Sequence, residues 1–326
     1  LEVSRSEGPI DSANPLFHLD GQTETKFRYR TSELNSLRDS SSINEAKVLE
    51  EESLIWEELR RGLVRRGAEI VQAAKSIAEL DVLCSMAQVA KQHNYVRPVI
   101  KDDSIAEFHV KDGWHPVVES IQSVIGRPFT RNDTSMSQSP FLLVTGPNMG
   151  GKSTYLRQNA LIAIMAQSGS YVPATAATLS LVDAVFTRIG ASDDLARDRS
   201  TFMQEMAETA AILKHATARS LVIMDEIGRG TAAEEGFALA LAIADHLISQ
   251  VGCRTLFATH YYGLAKLAQA YPDRIRCLQT GAQNQCGSIT FLHRLEPGVA
   301  SHSFAIEIAR LAGVPEGVLA RATDEL

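Results

Sequence analysis

Cysteine is scarce and unpatterned. The four residues Cys84, Cys253, Cys277 and Cys286 form no C-x-x-C pair and have no histidine at metal-site spacing. That argues against a disulfide framework or a zinc site and fits a reducing compartment. An excess of positive charge is missing too: 32 Lys and Arg face 39 Asp and Glu, a net charge of −7. Free-standing DNA-binding domains typically have a pI above ~9, so any nucleic-acid contact here must be local or shared with a partner. No apolar run approaches the roughly 18 residues of a membrane span, so no membrane partner is expected. The chain opens at Leu1 without a signal or transit pattern, so it reads as a piece of something longer. What is present is ordinary for a globular protein: 326 residues, 44% hydrophobic and 22% charged, enough for one large domain or two modest ones.

Residues 1 to about 25 are rich in Ser, Gly, Pro and acids and have no periodicity, which predicts a linker or frayed tail. Lys26-Phe27-Arg28-Tyr29-Arg30 follows. Its interleaved cations and aromatics describe an edge strand with one wet face, or a basic stretch whose Lys26, Arg28 and Arg30 lie against DNA phosphates. From Ile43 to near Arg66 the pattern turns helical, with Ile55, Leu59 and Leu63 at four-residue spacing. A second helix is predicted from about Glu69 to Asn94 and closes before Pro98. Two such helices serve either as a lever or as plain packing. Past Pro98 short β-like pieces and turns appear, Asn132 to Pro140 is loop-like, and strands then alternate with helices. That alternation predicts an α/β core with a mainly parallel sheet.

The strongest motif begins where the apolar strand Phe141–Thr145 runs into Gly146-Pro147-Asn148-Met149-Gly150-Gly151-Lys152-Ser153-Thr154. This fits G-x-x-x-x-G-K-[ST], with a helical run after it. Glycines let such a loop turn its amides toward phosphate oxygens, the helix N-terminus adds its positive end, Lys152 reaches the β- and γ-phosphates, and the Ser153 hydroxyl ligates Mg²⁺. A second strand, Leu221 to Asp225-Glu226, ends in acids: Asp225 to hold Mg²⁺ through water, Glu226 to orient or deprotonate the attacking water. Between them, Ser200-Thr201-Phe202-Met203 opens a helix, and Phe257-Ala258-Thr259-His260 ends a further strand in a histidine. A phosphate loop, a Ser-led helix, an acidic strand and a terminal histidine, in that order, are the arrangement of P-loop ATPases of the ABC type. There His260 reads as a γ-phosphate sensor.

These four blocks resemble those of the MutS family of DNA mismatch-repair proteins, from about residue 98 to the end. Ser32-Glu33-Leu34 and Ala78-Glu79-Leu80-Asp81-Val82-Leu83 are similar, more weakly, to the end of its clamp and its lever helices. The resemblance implies an ATPase that works as a homo- or heterodimer on mismatched DNA, with downstream repair factors and two composite sites between subunits. Lys152, Ser153 and Asn148 would hold ATP and Mg²⁺ in cis, Asp225 and Glu226 would complete the hydrolytic site, and Ser200 with Thr201 would close the partner's. By the same resemblance Phe129 packs on the adenine and His293 lies beside it; taken alone they would be a core and a surface residue. It divides the chain into 1–25 as linker, 26–97 as clamp end and lever, and 98–326 as the ATPase domain. A helical dimerisation element would occupy about 303–326, cut short at Leu326.

Three departures stand out: Ala232-Ala233-Glu234-Glu235-Gly236 after Gly230-Thr231, Asp198 before the Arg-Ser pair, and Trp114 where many members carry Arg. Leu156-Arg157-Gln158-Asn159-Ala160, the Glu-Glu-Gly and Cys253-Arg254-Thr255-Leu256 lean toward mitochondrial homologues, with nucleus or bacterial cytoplasm as the other compartments. Two alternatives are carried. One is a MutS relative acting on recombination intermediates or stalled ribosomes, since a mismatch-reading domain would lie upstream of Leu1. The other, an ABC-type subunit of a transporter or chromosome-organising complex, lacks both a Leu-Ser-Gly-Gly signature and sustained heptads.

Overall fold

Alternation of cations and aromatics over Lys26–Arg30 does produce a strand, and it lies at the centre of a small antiparallel sheet. In the computed structural model β1 (Glu2–Ser4) and β2 (His18–Gln22) flank β3 (Lys26–Arg30). The structure describes all residues except 12–13, 103–106, 191–200, 286–287, 302–303 and 326, and the side chains of 284, 285 and 288. Two strands therefore lie in the stretch read as linker. β1 is too short for a period-two signal and β2 is polar and interrupted by Gly21; both are held by backbone pairing to β3, with Val3 opposite Phe27 and Leu19 opposite Tyr29. Nor is β3 an edge. Its Tyr29 is buried, while the cations on the other face meet acids of the flanking strands: Lys26 and Arg28 reach Glu2 at 2.7 and 3.0 Å, and Arg30 reaches Asp20 at 2.6 Å.

Helix α1 (Ser32–Arg65) starts well before Ile43 because Thr31 caps it, its hydroxyl accepting from Leu34 N–H at 3.2 Å. The Ser-rich first turns carry no apolar stripe to betray them. After Arg66 the chain continues as α2 (Gly67–Gln92). The stripe Ile55, Leu59 and Leu63 is exposed. By Cα proximity the chain falls into two units, Leu1–Val82 and Leu83–Leu326. Among the described residues no helix is long and apolar enough to cross a membrane.

The second unit is mixed α/β. After β4 (Val99–Lys101) and β5 (Phe108–Gly113) comes α3 (Pro116–Val124), which the Gly-Trp-His-Pro turn concealed. Pro116 suits a first helical position, and the His115 ring caps Val118 N–H at 3.3 Å. Then β6 (Asn132–Ser135) makes a strand of residues read as loop, because its polar side chains serve neighbouring strands. There follow β7 (Phe141–Thr145), α4 (Lys152–Gln167), β8 (Ala176–Ser180), β9 (Val185–Arg188), α5 (Thr201–His215), β10 (Leu221–Asp225) and α6 (Ala233–His246). The chain ends with β11 (Arg254–Ala258), α7 (Leu267–Ala270), β12 (Ile275–Gln285), β13 (Ser288–Pro297), α8 (Ala305–Leu311) and α9 (Glu316–Asp324).

Six strands form one sheet in the order β13-β12-β7-β11-β10-β9, parallel except for the β12/β13 hairpin at its edge. Both faces are covered, so its strands read as continuous apolar runs. Leu142 and Val144 point to one core with Leu156 and Ile162 of α4; Phe141 and Leu143 point to the other with Ala240 and Ile243 of α6. A smaller sheet, β4-β8-β5-β6, adds Phe108, Val110 and Leu179 to the first core.

Arg254, 1% exposed, joins the two sheets. Its guanidinium donates to the carbonyls of Glu107 (3.3 Å), Ser180 (3.4 Å), Leu181 (3.3 Å) and Arg219 (3.0 Å). Hydrogen bonds from a charged group contribute about 1.5–3 kcal/mol each at most. Arg254→Met is therefore expected to cost roughly 3 kcal/mol, seen as a lower denaturant midpoint at unchanged m-value.

Candidate functional site

The loops after β7, β10 and β11 meet at the carboxyl ends of adjacent parallel strands, where open α/β sheets bind ligands. Close packing requires the glycines of the first loop. Gly146 has φ +135°, and a Cβ there would overlap the Thr280 hydroxyl on β12; one on Gly150 would meet the same hydroxyl. Gly151, at φ +95°, is the N-cap of α4 and lies under the His293 ring of β13, whose Nδ1 would be 3.3 Å from an added Cβ. Met149 takes φ +67° and exposes its side chain. Thr154 is half-buried in the first turn of α4 and lines the same cavity.

Lys152 is 4% exposed. Its Nζ donates to the carbonyls of Gly146 (2.8 Å) and Pro147 (3.0 Å) and lies 3.5 Å from Glu226 Oε1. Burial pushes its pKa down, partly offset by the Glu226 carboxylate. One turn end away, Asp225 is buried and its carboxyl pKa is raised by burial, against the opposing effect of a hydrogen bond with Ser153. Among the described residues its Oδ1 has no hydrogen-bond partner. A buried orphan carboxylate oxygen beside a hydroxyl fits Mg²⁺, which is usually held through one or two protein oxygens and keeps several waters.

Glu226 sits at φ +57°, an uncommon conformation for a side chain of its size. Its Oε2 meets Arg229 Nη1 at 2.6 Å, and Arg229 Nη2 donates to Asn148 Oδ1 at 3.2 Å, so one guanidinium bridges two loops. His260, at the end of β11, is half-buried beside these charges; burial lowers its pKa, and nearby Arg229 adds to this. Among the described residues His260 Nδ1 has no hydrogen-bond partner.

A cavity of about 420 Å³ opens beside this cluster, lined by Phe129, Asn148, Lys152, Ser153, Glu226 and His293 among others. Phe129 and His293 thus line one space, although they lie 164 positions apart in the chain (129 to 293). Asn132 was not foreseen. Its Nδ2 donates to His293 O (2.9 Å) and its Oδ1 accepts from Leu295 N–H (2.8 Å), holding His293 at φ +51°. Polar residues in a short edge-like stretch gave no signal for that. Thr201, exposed at the start of α5, faces a neighbouring cavity with Ser153 and Asp225. Ser200 and Asp198 lie outside the described residues. Lys26, Arg28 and Arg30 belong to the first unit and are engaged with Glu2 and Asp20. Trp114 is buried, and the Arg131 guanidinium lies 4.1 Å over its ring.

The fold and site define a mixed α/β protein with a glycine-loop site at the carboxyl ends of a parallel sheet. The family model of MutS domain V matches residues 142–326, more than half of the chain, and the chain belongs to that family. It is 47% identical over 306 residues to the DNA mismatch repair protein MutS of Dinoroseobacter shibae, covering 93% of this chain and 34% of that protein. The corresponding figures are 45% over 325 residues, 99% and 34% for MutS of Sorangium cellulosum. For MutS of Syntrophobacter fumaroxidans they are 48% over 303 residues, 92% and 34%. The chain spans about a third of the length of these relatives. All are bacterial, which lends no support to the mitochondrial lean.

The raised Asp225 carboxyl generates a test with a definite sign. The folded chain holds this proton more tightly than the unfolded one, so ionisation costs stability as pH rises through the folded value. Asp225→Asn is expected to raise the thermal midpoint at pH 7 without nucleotide. That gain should shrink as pH falls toward the unfolded carboxyl value near ~3.9.

Proposed function

We propose that the chain is the ATP-hydrolysing C-terminal part of a DNA mismatch-repair protein of the MutS kind, acting in a dimer. The observation that carries this reading is the grouping of Lys152, Ser153 and Glu226 on the cavity that Phe129 and His293 also line, with Asp225 hydrogen-bonded to Ser153 in the neighbouring cavity. Triphosphate would lie along the loop 146–154, its β- and γ-oxygens taking Lys152 from the carbonyls of Gly146 and Pro147. Ser153 and Asp225 would hold Mg²⁺, which when bound supplies positive charge to the phosphate oxygens. Phe129 would pack on the adenine and His293 would lie beside it, aromatic contact that excludes water. Glu226, flanked by Lys152 and Arg229, would take the proton of the attacking water, and His260 would report on the γ-phosphate.

Ser200 and Thr201 would close the site of a second MutS-type subunit. In this reading P-loop chemistry of the ABC type belongs to 98–326, and 303–326 contributes to dimerisation. Residues 26–97 form the clamp end and lever, with Lys26, Arg28 and Arg30 as DNA-backbone contacts. The relatives' names favour mismatch repair over recombination intermediates or stalled ribosomes, and a bacterial setting.

Two measurements test this. Glu226→Gln is expected to lower ATP turnover by about 10²–10⁴-fold while ATP still binds, as loss of a general base does. Steady-state ATPase per subunit should rise with protein concentration and collapse in Ser200→Ala. A rate indifferent to both, in a chain that sediments as a monomer, would sink the dimer mechanism.

A further inference from the structure

We propose that Glu205 is a positioning residue for hydrolysis: its carboxylate clamps the turn that carries Glu226 and Arg229 and ties that turn to α5. The proposal rests on the reading of Glu226 given above. Glu205 is 6% exposed, and a buried carboxylate is costly unless its oxygens are paired and hydrogen-bonded. Here they are. Oε1 accepts the Gly228 N–H at 2.6 Å, the short distance of a charge-assisted bond, and Oε2 faces Arg188 Nη2 at 3.4 Å. Arg188, at the end of β9, is itself fixed, donating to Ile189 O at 2.8 Å and lying 3.4 Å from Glu208.

From the opposite side the Tyr261 hydroxyl donates to Gly228 O at 3.0 Å. Both polar groups of residue 228 are therefore gripped, one from α5 and one from the residue after His260. Gly228 has φ +89°, and a side chain there would run into the backbone of Gly236. Glu226, two residues earlier, holds its own left-handed conformation, which persists only where the surroundings enforce it. Arg229, the next residue, makes the bridge to Glu226 and Asn148. A grip at 228 thus sets both ends of that bridge. Helix α5 also presses directly on this turn, since a Cβ on Gly230 would lie 2.9 Å from that of Phe202. Glu205 lies one helical turn beyond Thr201. The helix assigned above to the partner's nucleotide is thereby linked, through one carboxylate, to the water-activating group of its own site.

The test combines hydrogen exchange without nucleotide with ATP kinetics, in the full chain. In Glu205→Ala, exchange over 226–230 should quicken at least tenfold. The kcat for ATP should fall at least tenfold, with KM and the ADP dissociation constant within threefold of the parent. Glu205→Gln keeps an acceptor for Gly228 N–H and should recover most of both losses. Unchanged exchange at 226–230 overturns the proposal, as does a loss spread equally over kcat, KM and ADP binding. If Glu205→Ala fails to fold, Tyr261→Phe removes the opposing grip with a single hydroxyl. It should speed the same amides and lower kcat at unchanged KM, and no effect there overturns the proposal equally. A parent chain that binds no ADP would instead refute the nucleotide reading, while the exchange result still decides the clamp.

Discussion

The joint between β7 and α4 turns on three glycines, and the rest of the site depends on their bareness. Glycines at 146, 150 and 151 let the backbone lie directly against Thr280 and His293 of the β12/β13 hairpin. Two of them adopt φ values that a side chain would resist. At the strand end Thr145 completes the joint, donating to Leu278 O at 3.2 Å and accepting from Ala300 N–H at 3.0 Å. The hairpin is thus the back wall of the loop, and it brings His293 to the cavity that Phe129 also lines. An edge element that might have been decoration becomes part of the cavity.

Around that joint the molecule keeps groups in states that cost stability. Lys152 and Asp225 are charged residues in surroundings that disfavour charge, and Glu226 and His293 hold backbone conformations uncommon outside glycine. None of these is a folding device. Each is offset by packing elsewhere: the double-faced sheet, Arg254 between the sheets, and Asn132 beneath His293. Sites of this kind concentrate strain and desolvation where a ligand can relieve them.

The parallel core was legible because strands buried on both faces spell themselves as unbroken apolar runs; Phe141–Thr145 and Leu221–Asp225 did so. The loop between β7 and α4 was legible because its spacing is fixed by backbone geometry. What escaped was structure made by distant hydrogen bonding. β6 hides as a polar stretch whose Asn132 works for β13, and α3 hides behind a proline that begins a helix instead of ending one. Glu205 gave no signal, since nothing in its neighbourhood announces the Gly228 amide twenty-three residues on. The strands before β3 escaped for the same reason, being defined by their partner and not by their own pattern.

Trp114 and Arg131 form a pair whose charge does not belong to one position. Taken alone, Trp114 is a buried, uncharged residue. In space the guanidinium of Arg131 lies over that ring, so a cation occupies the same neighbourhood from a different place in the chain. Charge beside this buried ring is a property of the pair. An arginine at 114 alone would therefore set two guanidiniums side by side, a new repulsion where a ring now lies under a cation.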